Sequence, residues 1–210
     1  MRRLIEKYAY RLLIAIGQHI MYVLIAVSVA VVIALALAVV LSRFRKAARI
    51  LLPVVSVFQT IPGIVFIGLL MMKFGMTKLT AVLALSIYAV FPILKNSYQG
   101  FVDIDNNYIE VAKGCGMNKK QILFQVEFPL AMPAIFSGIR MSVIYTVSWA
   151  ILAAMIGQGG LGEFIYIGID ANVKEYIVLG AIPIAILAVL FRMLVDRLEK
   201  KCVSKGLQED

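Results

Sequence analysis

Long uncharged runs set the pattern of this chain. Ile20–Leu41 holds 22 residues without a charge, and Ile50–Met72 holds 23. At about 1.5 Å per residue, either run can cross a hydrocarbon layer roughly 30 Å thick. Leu79–Leu94 and Tyr176–Phe191 are shorter, at 16 residues each, and Phe128–Ile139 joins Met141–Ile156 through the single charge of Arg140. These reach about 20 residues by including flanking polar side chains that snorkel to the interface. The pattern predicts an all-α, polytopic membrane helix bundle with five transmembrane helices, near residues 20–41, 50–72, 79–95, 134–156 and 176–195.

Residues 1–19 carry a different pattern. Arg2, Arg3, Lys7 and Arg11 alternate with Leu4, Ile5, Tyr8, Leu12 and Ile16. Positions 5, 8, 12 and 16 share one helical face. The segment reads as an interfacial amphipathic helix leading into the first span. A loosely ordered basic tail is the plainer alternative. No small-residue cleavage site follows the apolar run at residue 41, which argues against a cleaved signal peptide.

Composition agrees with the membrane reading: 62% of residues are hydrophobic and 16% charged, where a soluble domain sits nearer one half and about one quarter. The net charge of +9 reads as lipid-facing and cytoplasmic loop charge rather than a nucleic-acid surface. His19 alone cannot build a metal site. No Ser/His/Asp set is visible, and Gly157–Gly162 lacks the Lys-Ser/Thr of a phosphate loop. The expectation is a chain without catalytic or metal-binding residues and without a bound cofactor. A secondary carrier would show inverted repeats or acidic residues within spans, and neither is visible.

Charge also predicts an orientation. Five spans divide the hydrophilic segments into two alternating sets. Residues 1–19, 73–78 and 157–175 hold 7 Lys and Arg; residues 42–49, 95–127 and 192–210 hold 13. The positive-inside rule places the second set in the cytoplasm. The N-terminus is then outside, against its own four positive charges, and the tail at 199–210 is cytoplasmic. Cys115 and Cys202 fall on the reducing side, so no disulfide is expected.

Within the second set, residues 95–133 are the most informative. Asn107–Lys113 reads as a short helix with Tyr108, Val111 and Ala112 on one side. Gly114-Cys115-Gly116 breaks it with two glycines suited to a sharp turn. Asn118 is a candidate N-cap for a second helix reaching Glu127, whose Ile122, Leu123 and Val126 form an apolar face. Pro129 and Pro133 are expected to end that helix. Two readings fit this helix–turn–helix: a loop folded on its own bundle, or a docking knob for a partner.

The spacing here resembles the cytoplasmic signature of ABC importer permeases. That family pattern is Glu-Ala-Ala, three residues, Gly, nine residues, Ile, one residue, Leu-Pro. In this chain Glu110, Ala112, Gly116 and Pro129 stand in register, while Val111, Val126 and Phe128 are apolar departures. The resemblance implies a type I transmembrane domain over residues 19–198, with residues 103–130 as a coupling loop that docks on a separate ATP-hydrolysing subunit. It assigns coupling to Glu110, Val111, Ala112, Gly114, Gly116, Val126, Phe128 and Pro129. Near the start of its helix, Glu110 could equally act only as a helix-dipole partner.

Gln59-Thr60-Ile61-Pro62, the stretch from Tyr88 to Asn96, Ser137-Gly138-Ile139-Arg140 and Gly157–Gly162 look like the osmoprotectant subfamily. The resemblance implies glycine betaine, carnitine or choline as cargo, a second permease copy that is the same or a related chain, and an extracytoplasmic binding protein. Methionine-importer permeases are the alternative. A quaternary ammonium is held by aromatic faces. Tyr88, Phe91, Tyr145 and Trp149 are the aromatics proposed for the translocation path, although aromatics in spans also pack or anchor at the interface. Arg140 is expected near the cytoplasmic face, snorkelling or paired within the bundle.

Overall fold

A computed structural model describes residues 2–203 and 206, with side chains from Tyr8 onward. The described residues outside loops are helical. The helices are α1 (Arg2–Arg43), α2 (Arg45–Phe58), α3 (Gly63–Phe74), α4 (Lys78–Val102), α5 (Asn106–Gly114), α6 (Lys119–Gln121), α7 (Phe128–Trp149), α8 (Leu152–Met155), α9 (Gly162–Asp170) and α10 (Lys174–Cys202). Four helical stretches are long and apolar enough to cross a membrane, and the bent pair α2–α3 supplies a fifth if it crosses as one span.

Alternation of small residues explains how α1 enters the bundle. Ala26, Ala30, Ala34 and Ala38 recur every four residues and are fully buried. Without side-chain bulk the backbones of α1 and α4 approach closely, which is how helices associate where no water drives them together. Gly138 does the same for α7 against α4: a Cβ there would lie 2.9 Å from the carbonyl oxygen of Pro92 and 3.0 Å from the Cα of Ile93. Two apolar clusters result. One gathers Tyr22, Phe66, Tyr88, Val147 and Leu161 towards one end. The other gathers Ala34, Ile93, Ala131 and Ile135 towards the end that carries α5.

The structure refines two expectations and corrects a third. First, the N-terminal amphipathic stretch leads into the first span without a break: α1 runs for 42 residues from Arg2, about 63 Å. Tyr8, Leu12 and Ile16 do share a face, but that face packs on the bundle, with the Tyr8 ring 5.3 Å from that of Tyr176. Ile5 and the basic side chains up to Lys7 lie outside the described side chains. Second, residues 50–72 fall on two helices, α2 and α3. The chain turns by 95° between α2 and α3, because Pro62 has no N–H to continue α2 and disfavours helical geometry at Ile61.

Third, the helix beginning at Asn118 does not end at Pro129. A π-helical stretch, Ile122–Glu127, carries it into α7. The Phe128 N–H reaches back five residues to the Leu123 carbonyl. Pro129 thus falls where the ladder changes from five-residue to four-residue pairing, a place where a missing donor costs little.

Candidate functional site

Two regions bring the sequence-derived residues together. The first is the knob formed by α5, the turn after it and α6. Asp105 caps α5, its Oδ1 accepting from the Asn107 N–H at 3.0 Å. This cap was missed by expecting the helix to begin at Asn107, although Asp before a helical run is a standard start signal. Glu110 is exposed in the middle of α5 and so is not its cap.

The turn after α5 closes by two backbone bonds. The Met117 N–H reaches the Ala112 carbonyl at 3.1 Å and the Gly116 N–H reaches that of Lys113 at 2.9 Å. This is a Schellman ending, with Gly116 at φ +78° in the left-handed position that favours glycine. Only one of the two glycines makes the turn, since Gly114 is still helical. Asn118 then starts α6 with a capping box. Its Oδ1 accepts from the Gln121 N–H at 3.0 Å, and its own N–H donates to Gln121 Oε1 at 2.8 Å.

The knob turns Ala112 inwards and leaves Tyr108, Glu110 and Val111 exposed. Of the three residues placed on one side of this helix, Ala112 is buried while Tyr108 and Val111 are exposed beside it. Val126 is half-buried on the π-helical stretch. Phe128 packs between Phe101 at 5.3 Å and Phe124 at 5.9 Å, while the Phe124 ring keeps an exposed face.

The knob is rooted in the bundle by a contact that sequence reasoning passed over. Both oxygens of Glu127 accept from the guanidinium of Arg43 at the end of α1, one at 2.7 Å. Glu127 is nearly buried and Arg43 about half exposed. An acidic residue inside an otherwise apolar stretch was the available signal. Arg140 is also paired at this end: its Nε donates to Asp196 at 2.6 Å and a terminal nitrogen to Glu199, both on α10. The expectation of a partner within the bundle is met. Arg140, Asp196 and Glu199 line a cavity of about 1030 Å³ together with Asp105 and Tyr108 of the knob.

The second region is the corner between α2 and α3, where it meets α4 and α7. Tyr88, Tyr145 and Trp149 converge here with Gln59, Leu85 and Thr146. The Tyr88 and Trp149 rings meet edge to face at 3.9 Å. Phe66 stands edge-on to Tyr88 at 5.2 Å. Phe91 is half-buried and does not join the group.

Pro92 explains the attachment of the corner. It sits inside α4 without an N–H, so the Tyr88 carbonyl four residues earlier has no helical donor. Gln59 fills the vacancy, its Nε2 donating to the Tyr88 oxygen at 2.9 Å. In return the Tyr88 hydroxyl donates to the Ile61 carbonyl at 2.7 Å, which lies in the break between α2 and α3. Gln59 and Pro92 were quoted as family-like motifs, but nothing in their spacing revealed that they serve each other.

At the end away from the knob, the loop Gly157–Gly162 lies against α1. The Tyr22 hydroxyl donates to the Gln158 carbonyl at 2.8 Å, and the Gly160 N–H donates to Gln18 Oε1 at 2.8 Å. Gly157, Gly159 and Gly160 all have positive φ, which permits this tight path. Arg11 pairs with Glu163 at 2.7 Å. His19 is fully buried and joins α1 to the Val147 carbonyl at 2.9 Å.

Residues 12–203 match the family model described as "Binding-protein-dependent transport system inner membrane component". The chain is 39% identical over 197 residues to the glycine betaine/carnitine/choline transport system permease protein OpuCB of Bacillus subtilis (strain 168), covering 94% of this chain and 91% of that one. It is 40% identical to the choline transport system permease protein OpuBB of the same organism over 91% of this chain and 88% of that one. With the carnitine transport permease protein OpuCB of Listeria monocytogenes it shares 36% over 97% and 94%. Among solved structures, an inward-facing form of the MetNI methionine ABC transporter superposes with a TM-score of 0.81 over 95% of this chain and 99% of that chain, at 20% identity. At that identity the likeness is one of fold.

Proposed function

The chain belongs to the family of binding-protein-dependent transport system inner membrane components, a multi-pass membrane family of ABC importer permeases, and on that premise we propose that it forms the membrane path for a quaternary-ammonium osmoprotectant: glycine betaine, carnitine or choline. The observation that carries this reading is the 39% identity to an osmoprotectant permease over 94% of the chain. Convergence of Tyr88, Tyr145 and Trp149 on one point of the bundle supports it, since aromatic faces suit a quaternary ammonium group, whose nitrogen has no hydrogen to donate.

In this reading the α5–α6 knob is the coupling element. It presents Glu110, Tyr108 and Val111 to a cytoplasmic ATPase, while its Schellman turn and capping box hold it as a rigid unit able to pass on a rigid-body movement. The knob end is cytoplasmic and the N-terminus of α1 is outside. A second permease, identical or related, completes the path, and a binding protein delivers the cargo to the Gly157–Glu175 face. Of the three acidic residues on that face, Glu163 is already engaged by Arg11, while Asp170 and Glu175 are exposed.

ATP-driven uptake tests the cargo. The full transporter in liposomes, with its ATPase and binding protein, should accumulate labelled glycine betaine, carnitine or choline and not methionine. Uptake of methionine alone would replace this reading with the methionine-importer alternative.

A further inference from the structure

The aromatic corner holds a cavity of only about 10 Å³, the space of roughly one water probe. No solute of several heavy atoms fits there, so a path through this point has to widen. The neighbouring α4 and α7 are poor candidates for movement. They pack with Gly138 against backbone, and the Ser142 hydroxyl donates to the Ala89 carbonyl at 2.8 Å. The corner of α2 and α3 is different. Its outer faces are open, with Val54, Val57, Val65 and Leu69 at least half exposed. The polar ties from its break at Gln59–Pro62 to α4 are the two reciprocal bonds with Tyr88. Those ties are also the wall of the cavity.

We propose that Gln59 and Tyr88 form a latch that closes the path, and that the α2–α3 corner swings away when both bonds part. The inference rests on the proposed path through Tyr88 and Trp149. Gln59 is a positioning residue in it: it acts through the carbonyl that Pro92 leaves without a helical donor. Tyr88 contributes its ring to the path and its hydroxyl to the latch. Both carbonyls can turn to water admitted by the same opening, which offsets the two lost bonds; the buried Phe66 and Ile67 of α3 set the remaining cost.

Cysteine labelling tests the latch in the full chain, in membranes opened on both faces, with Cys115 and Cys202 replaced by serine. Thr146→Cys places a reporter on the buried cavity wall, and Ile93→Cys serves as a control in the knob-end cluster. The reagent is a trimethylammonium-ethyl thiosulfonate, itself a quaternary ammonium. Tyr88→Phe and Gln59→Leu should each label residue 146 about fivefold faster than the unmodified latch, as loss of one hydrogen bond shifts the closed state. Residue 93 should stay unreactive in every background. An unchanged rate at residue 146 in either variant overturns the latch, as does equal acceleration at residue 93, which would signal general loosening. Uptake assays separate this result from the cargo assignment. Faster labelling with no quaternary-ammonium uptake keeps the latch and removes the cargo; uptake with unchanged labelling does the reverse.

Discussion

The knob and the aromatic corner are built by opposite means. Within α5, its turn and α6, the shaping bonds join residues at most five apart: Asp105 to Asn107, Met117 to Ala112, Asn118 to Gln121. In the corner, Gln59 and Ile61 find Tyr88 across 29 and 27 residues, and Tyr88 finds Trp149 on another helix. A rigid knob made of local bonds can be carried as a body. A corner made of a few distant bonds can let go. Each construction suits the role proposed for it.

The contrast would fail first at Arg43. Its pair with Glu127 is a long-range ionic root of the knob. Arg43→Leu strands a nearly buried carboxylate. The loss should be roughly 2–3 kcal/mol, held down by the partial exposure of Arg43. Thermal unfolding in detergent should fall accordingly, and Arg43→Lys should recover part of it. No shift at all would mean that the knob stands without the bundle.

Exchanging the two glycines sharpens the local side. Gly116→Val puts a β-branched residue at φ +78°, a strain of about 1–3 kcal/mol. Gly114→Ala adds a methyl to a helical position with open space around it and should be neutral or stabilising by up to about 1 kcal/mol. The comparison is read by protease resistance of residues 103–118. Equal effects from the two would contradict a turn that depends on Gly116 alone.

The smallest effect belongs to the far end. Reversing Asp170 and Glu175 together should leave the fold intact and slow delivery by the binding protein, with exposed pairs worth about 0.2–1 kcal/mol each. A rise in the binding-protein concentration needed for half-maximal uptake is the expected outcome. An unchanged titration would remove these residues from the docking face.

The same division decides what the sequence made legible. Gly116 and Asn118 could be read because their partners lie within five residues, and the alternation around Asn107–Lys113 gave α5 to within a residue at each end. Asp105 was equally local and was simply passed over. The unbroken path through Pro129 was not legible, because a π-helical stretch depends on how the helix seats in the bundle. Pro62 lies at the break between α2 and α3, but the 95° angle there depends on where Tyr88 waits. Glu127 and Arg43 are individually conspicuous, yet 84 residues separate them. Of the four aromatics proposed for the path, three meet and Phe91 does not, since helical spacing alone did not settle which side of α4 faces α7.

Coupling through the knob is the central claim, and Glu110→Lys tests it most directly. Glu110 is exposed, so reversing its charge should leave the fold within about 0.5 kcal/mol of the unmodified chain. In liposomes holding the full transporter, ATP hydrolysis and uptake of glycine betaine, carnitine or choline would be measured together. The account predicts weaker association with the ATPase, or loss of substrate-stimulated hydrolysis, with uptake falling in step while the isolated binding protein still holds its ligand. Normal assembly, normal hydrolysis and normal uptake in that variant would contradict it.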